Sequence, residues 1–166
     1  MALLQQKVVL TKVPPFSFLY HLNKNSFGSM RSGILLVDDD AEDQFIFCDA
    51  MKTVDNTESV HMECCGIDAI NYLSSLPHHQ LPWLVLADLN MPKMNGSELL
   101  KNLKGNENFK NIPVIIYTTS VNEMEKQACL VLGAHDYITK PLTFKQSIEV
   151  AQMVVKLCIQ LQEHKT

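Results

Sequence analysis

Trp83-Leu84-Val85-Leu86-Ala87-Asp88-Leu89-Asn90-Met91-Pro92-Lys93-Met94-Asn95-Gly96 is the stretch that decides how this chain folds. An apolar run ends abruptly in a carboxylate, Asp88, and a loop punctuated by proline and glycine follows. Upstream the pattern recurs, with Gly33-Ile34-Leu35-Leu36-Val37 running into Asp38-Asp39-Asp40. Runs this apolar are expected of strands covered by helices on both faces. In a parallel sheet the C-terminal tips of such strands lie side by side, on the edge where open α/β sheets bind ligands.

From Ser32 onward strand and helix patterns alternate. The strand candidates are 33–37, 59–65, 83–87, 113–118 and 136–139. Helical patterns fill 41–53, 67–75, 96–103, 121–132 and 143–162. In the fourth helix Val121, Met124, Ala128 and Val131 recur at helical spacing, and in the last Phe144, Ile148, Ala151, Val155 and Cys158 do the same. Gly133 is placed to end the fourth helix. Five such units predict an α/β fold with a doubly wound, five-stranded parallel sheet.

The chain has 166 residues, 46% hydrophobic and 19% charged, enough for one domain with a sizeable core. No apolar run approaches the ~18 residues that span a bilayer, so no membrane segment is expected. The five cysteines (Cys48, Cys64, Cys65, Cys129 and Cys158) are odd in number and contain no C-x-x-C pair. That argues against a disulfide framework and for a reducing, cytoplasmic setting. Residues 1–30 carry Lys7, Lys12 and Lys24 and no acid, so the formal −4 of the chain leaves −7 on the rest. An acidic body without a basic stripe is a poor partner for nucleic acid. Residues 1–30 also hold Pro14-Pro15 and no sustained period, and read as an extension, disordered or a misassigned start with Met30 as the working initiator. A targeting segment and a packed strand at Val8-Val9-Leu10 are the alternatives. Residues 31–166 form the domain.

Asp38-Asp39, Asp88, Asn90, Thr118 and Lys140 fall at the C-terminal tips of strands one, three, four and five. Each has an ordinary explanation. An aspartate after a strand can cap the next helix, and Asp40 is assigned that task. Asn90 can be a turn residue whose backbone carbonyl is all that matters. Thr118 can be a β-branched strand residue, or can compete with Thr119 and Ser120 to cap the fourth helix. Lys140 can be a solvated lysine. Together they make chemical sense. Clustered carboxylates repel unless a cation sits among them, and Mg2+ suits an oxygen cage that keeps several waters and touches phosphate. A carboxylate can accept a phosphoryl group as an acyl phosphate. A lysine and a hydroxyl would supply the positioning and charge neutralisation that phosphoryl transfer requires.

Leu36-Val37-Asp38-Asp39, Asp88 through Gly96, Ile116-Tyr117-Thr118-Thr119 and Thr139-Lys140-Pro141 stand in the order and spacing of a known family. From Gly33 to Gln162 the chain resembles the receiver domains of two-component response regulators, in particular the single-domain, chemotaxis-type members. The resemblance implies a flavodoxin-like sheet of strand order 2-1-3-4-5. It implies that Asp88 accepts a phosphoryl group from a sensor histidine kinase or a histidine phosphotransfer protein. Asp39 and Asp88 would ligate Mg2+ with the Asn90 carbonyl, and Asp38 would act through water. Lys140 would pair with the phosphoryl group or with Asp88. Thr118 and the switch aromatic Tyr137 would carry the change to the surface of the fourth helix, fifth strand and fifth helix. A cis Lys140–Pro141 bond also belongs to the pattern.

The match has departures. Thr119 replaces a commonly smaller residue, and Asn95-Gly96 replaces the more frequent Asp-Gly, a harmless exchange. The Thr118-Thr119-Ser120 stretch is similar to regulators paired with bacterial phytochromes. Only one helix follows Lys140, so output is expected through a separate effector or a phosphorylation-dependent homodimer, and enzymatic turnover is not expected. The rival reading is a Mg2+-dependent aspartyl-phosphate phosphatase of the haloacid dehalogenase type, with Asp38 as nucleophile in an Asp-x-Asp motif with Asp40. A flavodoxin-like flavin binder is disfavoured, because acids stand where its phosphate loop would be.

Other clusters are set aside. Cys64 and Cys65 are adjacent on a strand and point to opposite faces. His78-His79 lie in a polar loop, and His61 and His135 lack partners at metal-ligand spacing. Met91 and Met94 are expected to pack beneath the site.

Overall fold

A computed structural model describes residues 33–54 and 60–163. The elements in chain order are β1 (Ile34–Val37), α1 (Ala41–Val54), β2 (Val60–Glu63), α2 (Gly66–Ser75), a short 3-10 turn (His78–Gln80), β3 (Leu84–Ala87), α3 (Gly96–Gly105), β4 (Val114–Thr118), α4 (Glu123–Val131), β5 (Asp136–Thr139) and α5 (Phe144–Glu163). The strands form one parallel sheet in the order β2-β1-β3-β4-β5. This is the doubly wound sheet and the 2-1-3-4-5 order that the sequence and its resemblance implied.

Alternation along the strands sorts the core into two layers, since successive side chains of a strand point to opposite faces. Leu35, Val37, Val85, Ala87, Val114 and Ile116 face α2, α3 and α4, against Ala69, Leu73, Leu99, Leu100, Leu103 and Cys129. Ile34, Leu36, Leu84, Leu86, Ile115 and Tyr117 face α1 and α5, against Phe47, Ala50, Met51, Ala151, Val154, Val155 and Cys158. All four residues of β1 and of β3 are buried, as their unbroken apolar sequence requires. Val37 pairs with Ala87 and Ala87 with Ile116, while Thr118 pairs with Thr139, so the four functional tips lie along one edge, with β4 and β5 reaching two residues beyond β1 and β3.

Several local expectations change. β2 closes at Glu63, and Cys64 and Cys65 follow it, the first exposed and the second buried at the start of α2. The polar loop at His78-His79 is a 3-10 turn. α4 opens at Glu123 rather than at 121, because the Asn122 side chain accepts a hydrogen bond from Met124 N at 2.9 Å. Thr118, Thr119 and Ser120 therefore do not cap it. At its other end Gly133 N and Ala134 N donate to the carbonyls of Leu130 and Cys129, with Gly133 at φ 97°. That is a Schellman ending, and it needs the left-handed region that glycine enters without cost. The Met124–Ala128–Val131 stripe is helical but faces outward. The buried anchor of α4 is Cys129, which lies off that stripe. In α5 the periodic set is buried at Ala151, Val155 and Cys158 and exposed at Phe144.

Lys140–Pro141 is trans, like every peptide bond among the described residues. Trans is the isomer favoured by ~0.5–1 kcal/mol where nothing selects cis. The expectations for residues 1–30 lie outside the described residues. Among those described, no helix is long and apolar enough to cross a membrane.

Candidate functional site

The tips of β1, β3 and β5 bring Asp38, Asp88 and Lys140 together. β1 continues past Val37 through Asp38, whose N–H donates to Glu63 O at 3.0 Å and whose Oδ1 accepts from Asp40 N at 3.0 Å. Asp38 is fully buried and Asp39, next to it, is exposed. Asp40 caps α1, its Oδ1 accepting from Glu42 N at 2.8 Å and Asp43 N at 3.4 Å, as the sequence reading assigned. Gln44 on the first turns of α1 reaches back, Nε2 donating to Asp38 O at 2.6 Å and Glu63 O at 3.3 Å. This clasp joins the ends of β1 and β2 beneath the acids.

Asp88 N donates to Val37 O at 2.8 Å, so the two acidic tips are locked in register. Its Oδ1 accepts from Leu89 N at 2.8 Å. The loop after it turns back through Lys93, at φ 66°, and Gly96 closes it with an N–H to Leu89 O at 3.0 Å. A Cβ on Gly96 would stand 2.2 Å from the Asp88 carbonyl oxygen, so only glycine fits against the acid's backbone here. Asn95 and Glu98 form a reciprocal capping box that fixes the start of α3. Asparagine caps a helix as well as aspartate does, and Asn95 does so here. Met91 is buried and Met94 half-buried against the same core.

Lys140 is placed by its own N–H, which donates to Thr118 O at 2.8 Å. Its ammonium lies 2.7 Å from Asp38 Oδ2, 2.7 Å from Asp43 Oδ2 and 3.8 Å from Asp88 Oδ1. The Tyr117 ring lies beneath it, 6.0 Å from Nζ to centroid. Burial acts to lower the Lys140 pKa. Its close contacts with the Asp38 and Asp43 carboxylates and the charge of Asp88 outweigh that, and the ammonium is held above the usual lysine value. Asp38 moves up as well, because burial penalises its charge by more than the Lys140 contact returns. Burial also pushes the Tyr117 hydroxyl up, to about 12, so it stays protonated.

The donor set fits a divalent cation. Asp38, Asp39 and Asp88 each present one oxygen, all within 4.8 Å of one another. Asp38 Oδ2 is buried without a hydrogen-bond partner. Its 2.7 Å approach to Lys140 is a charge contact that lacks hydrogen-bond alignment. A buried carboxylate oxygen with no donor is costly unless a charge compensates it. An all-oxygen set of this size matches a hard cation.

Of the other predicted residues, Thr118 is buried at the β4 tip, its Oγ1 accepting from Ser120 N at 3.3 Å. Asn90 lies in the loop after Asp88 with an exposed side chain. Tyr137 is buried, and its hydroxyl donates to Ser120 O at 3.1 Å, tying β5 to the loop after Thr118. Sequence reading passed over Gln44 and gave Asp43 and Gly96 no task at the site. Asp43 was legible only as one more acid in an acidic run. The Asn95-x-x-Glu98 spacing was a readable capping signal.

The model for the response regulator receiver domain matches residues 34–152. Response regulator Rcp1 of Synechocystis sp. is 33% identical over 122 residues, 72% of this chain and 83% of that protein. The crystal structure of the phosphorylated cyanobacterial phytochrome response regulator RcpA superposes with a TM-score of 0.70 at 28% identity, covering 78% of this chain and 94% of that one. The Mn(2+)-bound form of Rcp1 gives 0.64 at 32% identity, covering 74% and 91%.

Proposed function

On the premise that the chain belongs to the response regulator receiver family, we propose that it is a phosphorylation-switched signalling protein of a two-component phosphorelay, with Asp88 as its phosphoacceptor. The observation that carries this is the meeting of Asp38, Asp39 and Asp88 within one 4.8 Å cluster beside the Lys140 ammonium. An Asp88 carboxylate oxygen attacks the phosphorus of a phosphohistidine. The O–P bond forms as the P–N bond breaks, and the departing imidazole nitrogen takes up a proton. Asp39, Asp88 and the Asn90 carbonyl would hold Mg2+ directly and Asp38 through water. The bound cation would neutralise charge on the transferring oxygens. Lys140 contributes a fixed positive charge, and Thr118 a hydroxyl from the neighbouring tip.

The donor is a sensor histidine kinase or a histidine phosphotransfer protein, and the likeness to a phytochrome response regulator supports a phytochrome-type kinase as its source. Output passes through the α4–β5–α5 face to a separate effector, with a phosphorylation-dependent homodimer as the other mode. Val121, Met124 and Val131 stand exposed on that side, and Thr118 and Tyr137 connect it to the site through Ser120. Five free cysteines and an acidic body support a cytoplasmic protein that binds neither nucleic acid nor membrane. The phosphatase alternative needs Asp40 as a working acid, and Asp40 is occupied as the α1 cap.

Intact-protein mass after incubation with acetyl phosphate and Mg2+ tests the reading. One hydroxylamine-labile phosphoryl adduct is expected on wild type, dependent on Mg2+ and missing from Asp88→Asn. A label that persists at the same site in Asp88→Asn would sink it. Generic phosphate-ester turnover abolished by Asp38→Asn would favour the phosphatase.

A further inference from the structure

Among the described residues, Asp43 is the one acid in contact with the site's lysine to which the phosphoacceptor reading gives no task. It sits in the first turn of α1, where its N–H rests on the Asp40 cap. Its Oδ2 accepts a 2.7 Å hydrogen bond from Lys140 Nζ, joining the start of α1 to the tip of β5. The same ammonium lies 2.7 Å from Asp38 and stands off from Asp88 at 3.8 Å. The resemblance implied a Lys140–Asp88 or Lys140–phosphoryl pair; in the unmodified protein the Asp88 pair is present at 3.8 Å, with Asp38 and Asp43 held closer to the same ammonium.

A phosphoryl group on Asp88 would carry roughly 1.5 to 2 negative charges in place of the carboxylate's one, together with three strong acceptor oxygens. The lysine has three N–H donors and cannot serve every oxygen around it equally. One partner must yield. Asp38 is buried and leaving it unpaired is costly. The Asp43 side chain is 32% exposed, so water can replace the ammonium there at small cost.

We propose that Asp43 is a positioning residue that competes with the phosphoryl group for Lys140. It holds the ammonium away from Asp88 in the unmodified protein and releases it as negative charge builds on the acceptor. Phosphorylation would thereby also untie the first turn of α1 from the β5 tip. The inference rests on Asp88 being the phosphoacceptor.

Beryllium fluoride, a phosphoryl mimic, separates the two claims. It is titrated at saturating Mg2+, established for each variant, and read from the bound fluoride resonance. Asp43→Asn is expected to bind it about two- to fivefold tighter than wild type, the scale of a half-exposed ion pair. Asp43→Glu should return to wild-type affinity, and Glu42→Gln, an adjacent exposed charge, should change nothing. In a Lys140→Met background Asp43→Asn should have no effect, because the coupling runs through the lysine. Unchanged or weaker binding by Asp43→Asn overturns the proposal. So does a gain that survives in Lys140→Met or is reproduced by Glu42→Gln, since net charge would then be the cause. If wild type shows no bound resonance, the phosphoacceptor reading itself fails and this inference with it.

Discussion

Helices α3 and α4 lie on the same face of the sheet and use their apolar residues in opposite ways. In α3, Leu99, Leu100 and Leu103 are fully buried, and a capping box fixes the N-terminus. In α4 Cys129 alone is buried, while Val121 just before it and Met124 and Val131 within it are 82%, 82% and 86% exposed. The first helix holds the loop that carries Asp88. The second follows the loop tied to Thr118 and Tyr137. Local stability follows buried apolar contact, so the acceptor side of the site is built to stay in place and the α4 side to be displaced at low cost.

The largest expected effects break the rigid member of the pair. Leu103→Ala should lower stability by about 2–5 kcal/mol, as deletions in a closed core do, measured by chemical denaturation. Gly96→Ala should cost about 1–3 kcal/mol or more. The added Cβ meets the Asp88 carbonyl oxygen at 2.2 Å, and the acid's backbone must move. That variant should also lose phosphorylation by acetyl phosphate beyond its loss of fold. A Gly96→Ala protein with wild-type stability and labelling would mean that the loop is slack and that α3 is no more fixed than α4. A smaller effect sharpens the contrast. Asn95→Ala removes a cap and should cost about 1 kcal/mol.

Much of this was legible in the sequence, and the reasons differ by element. β1 and β3 were readable because a strand buried on both faces admits almost no polar residue, so each declares its own end at the first aspartate. The site followed, since four strand tips on one edge must converge. What the sequence concealed was direction and distance. A helical period in Val121, Met124, Ala128 and Val131 marks a stripe but not which way it faces, and tertiary packing gave the inside to Cys129. Asp43 could not be told from Asp39, Asp40 or Glu42, because its meeting with Lys140 spans 97 residues of chain. Gly96 read as a turn residue, while its constraint is a close backbone approach that no local pattern encodes.

The smallest effect is the most direct test of the loose member. Met124→Ser and Val131→Ser remove apolar side chains that already stand in water, so almost no buried area is lost. The remaining cost is helix propensity, a few tenths of a kcal/mol per site. Each should therefore change unfolding free energy by about 0.5 kcal/mol or less, whereas a buried leucine in α3 costs several times more. Denaturation at two protein concentrations separates the outcomes. A loss near 1 kcal/mol or above at either site, constant with concentration, would mean that α4 packs its outer stripe within the fold, and the contrast with α3 would fall. A loss that grows with concentration would instead show the stripe covered by a second copy, so that α4 is loose only in the monomer.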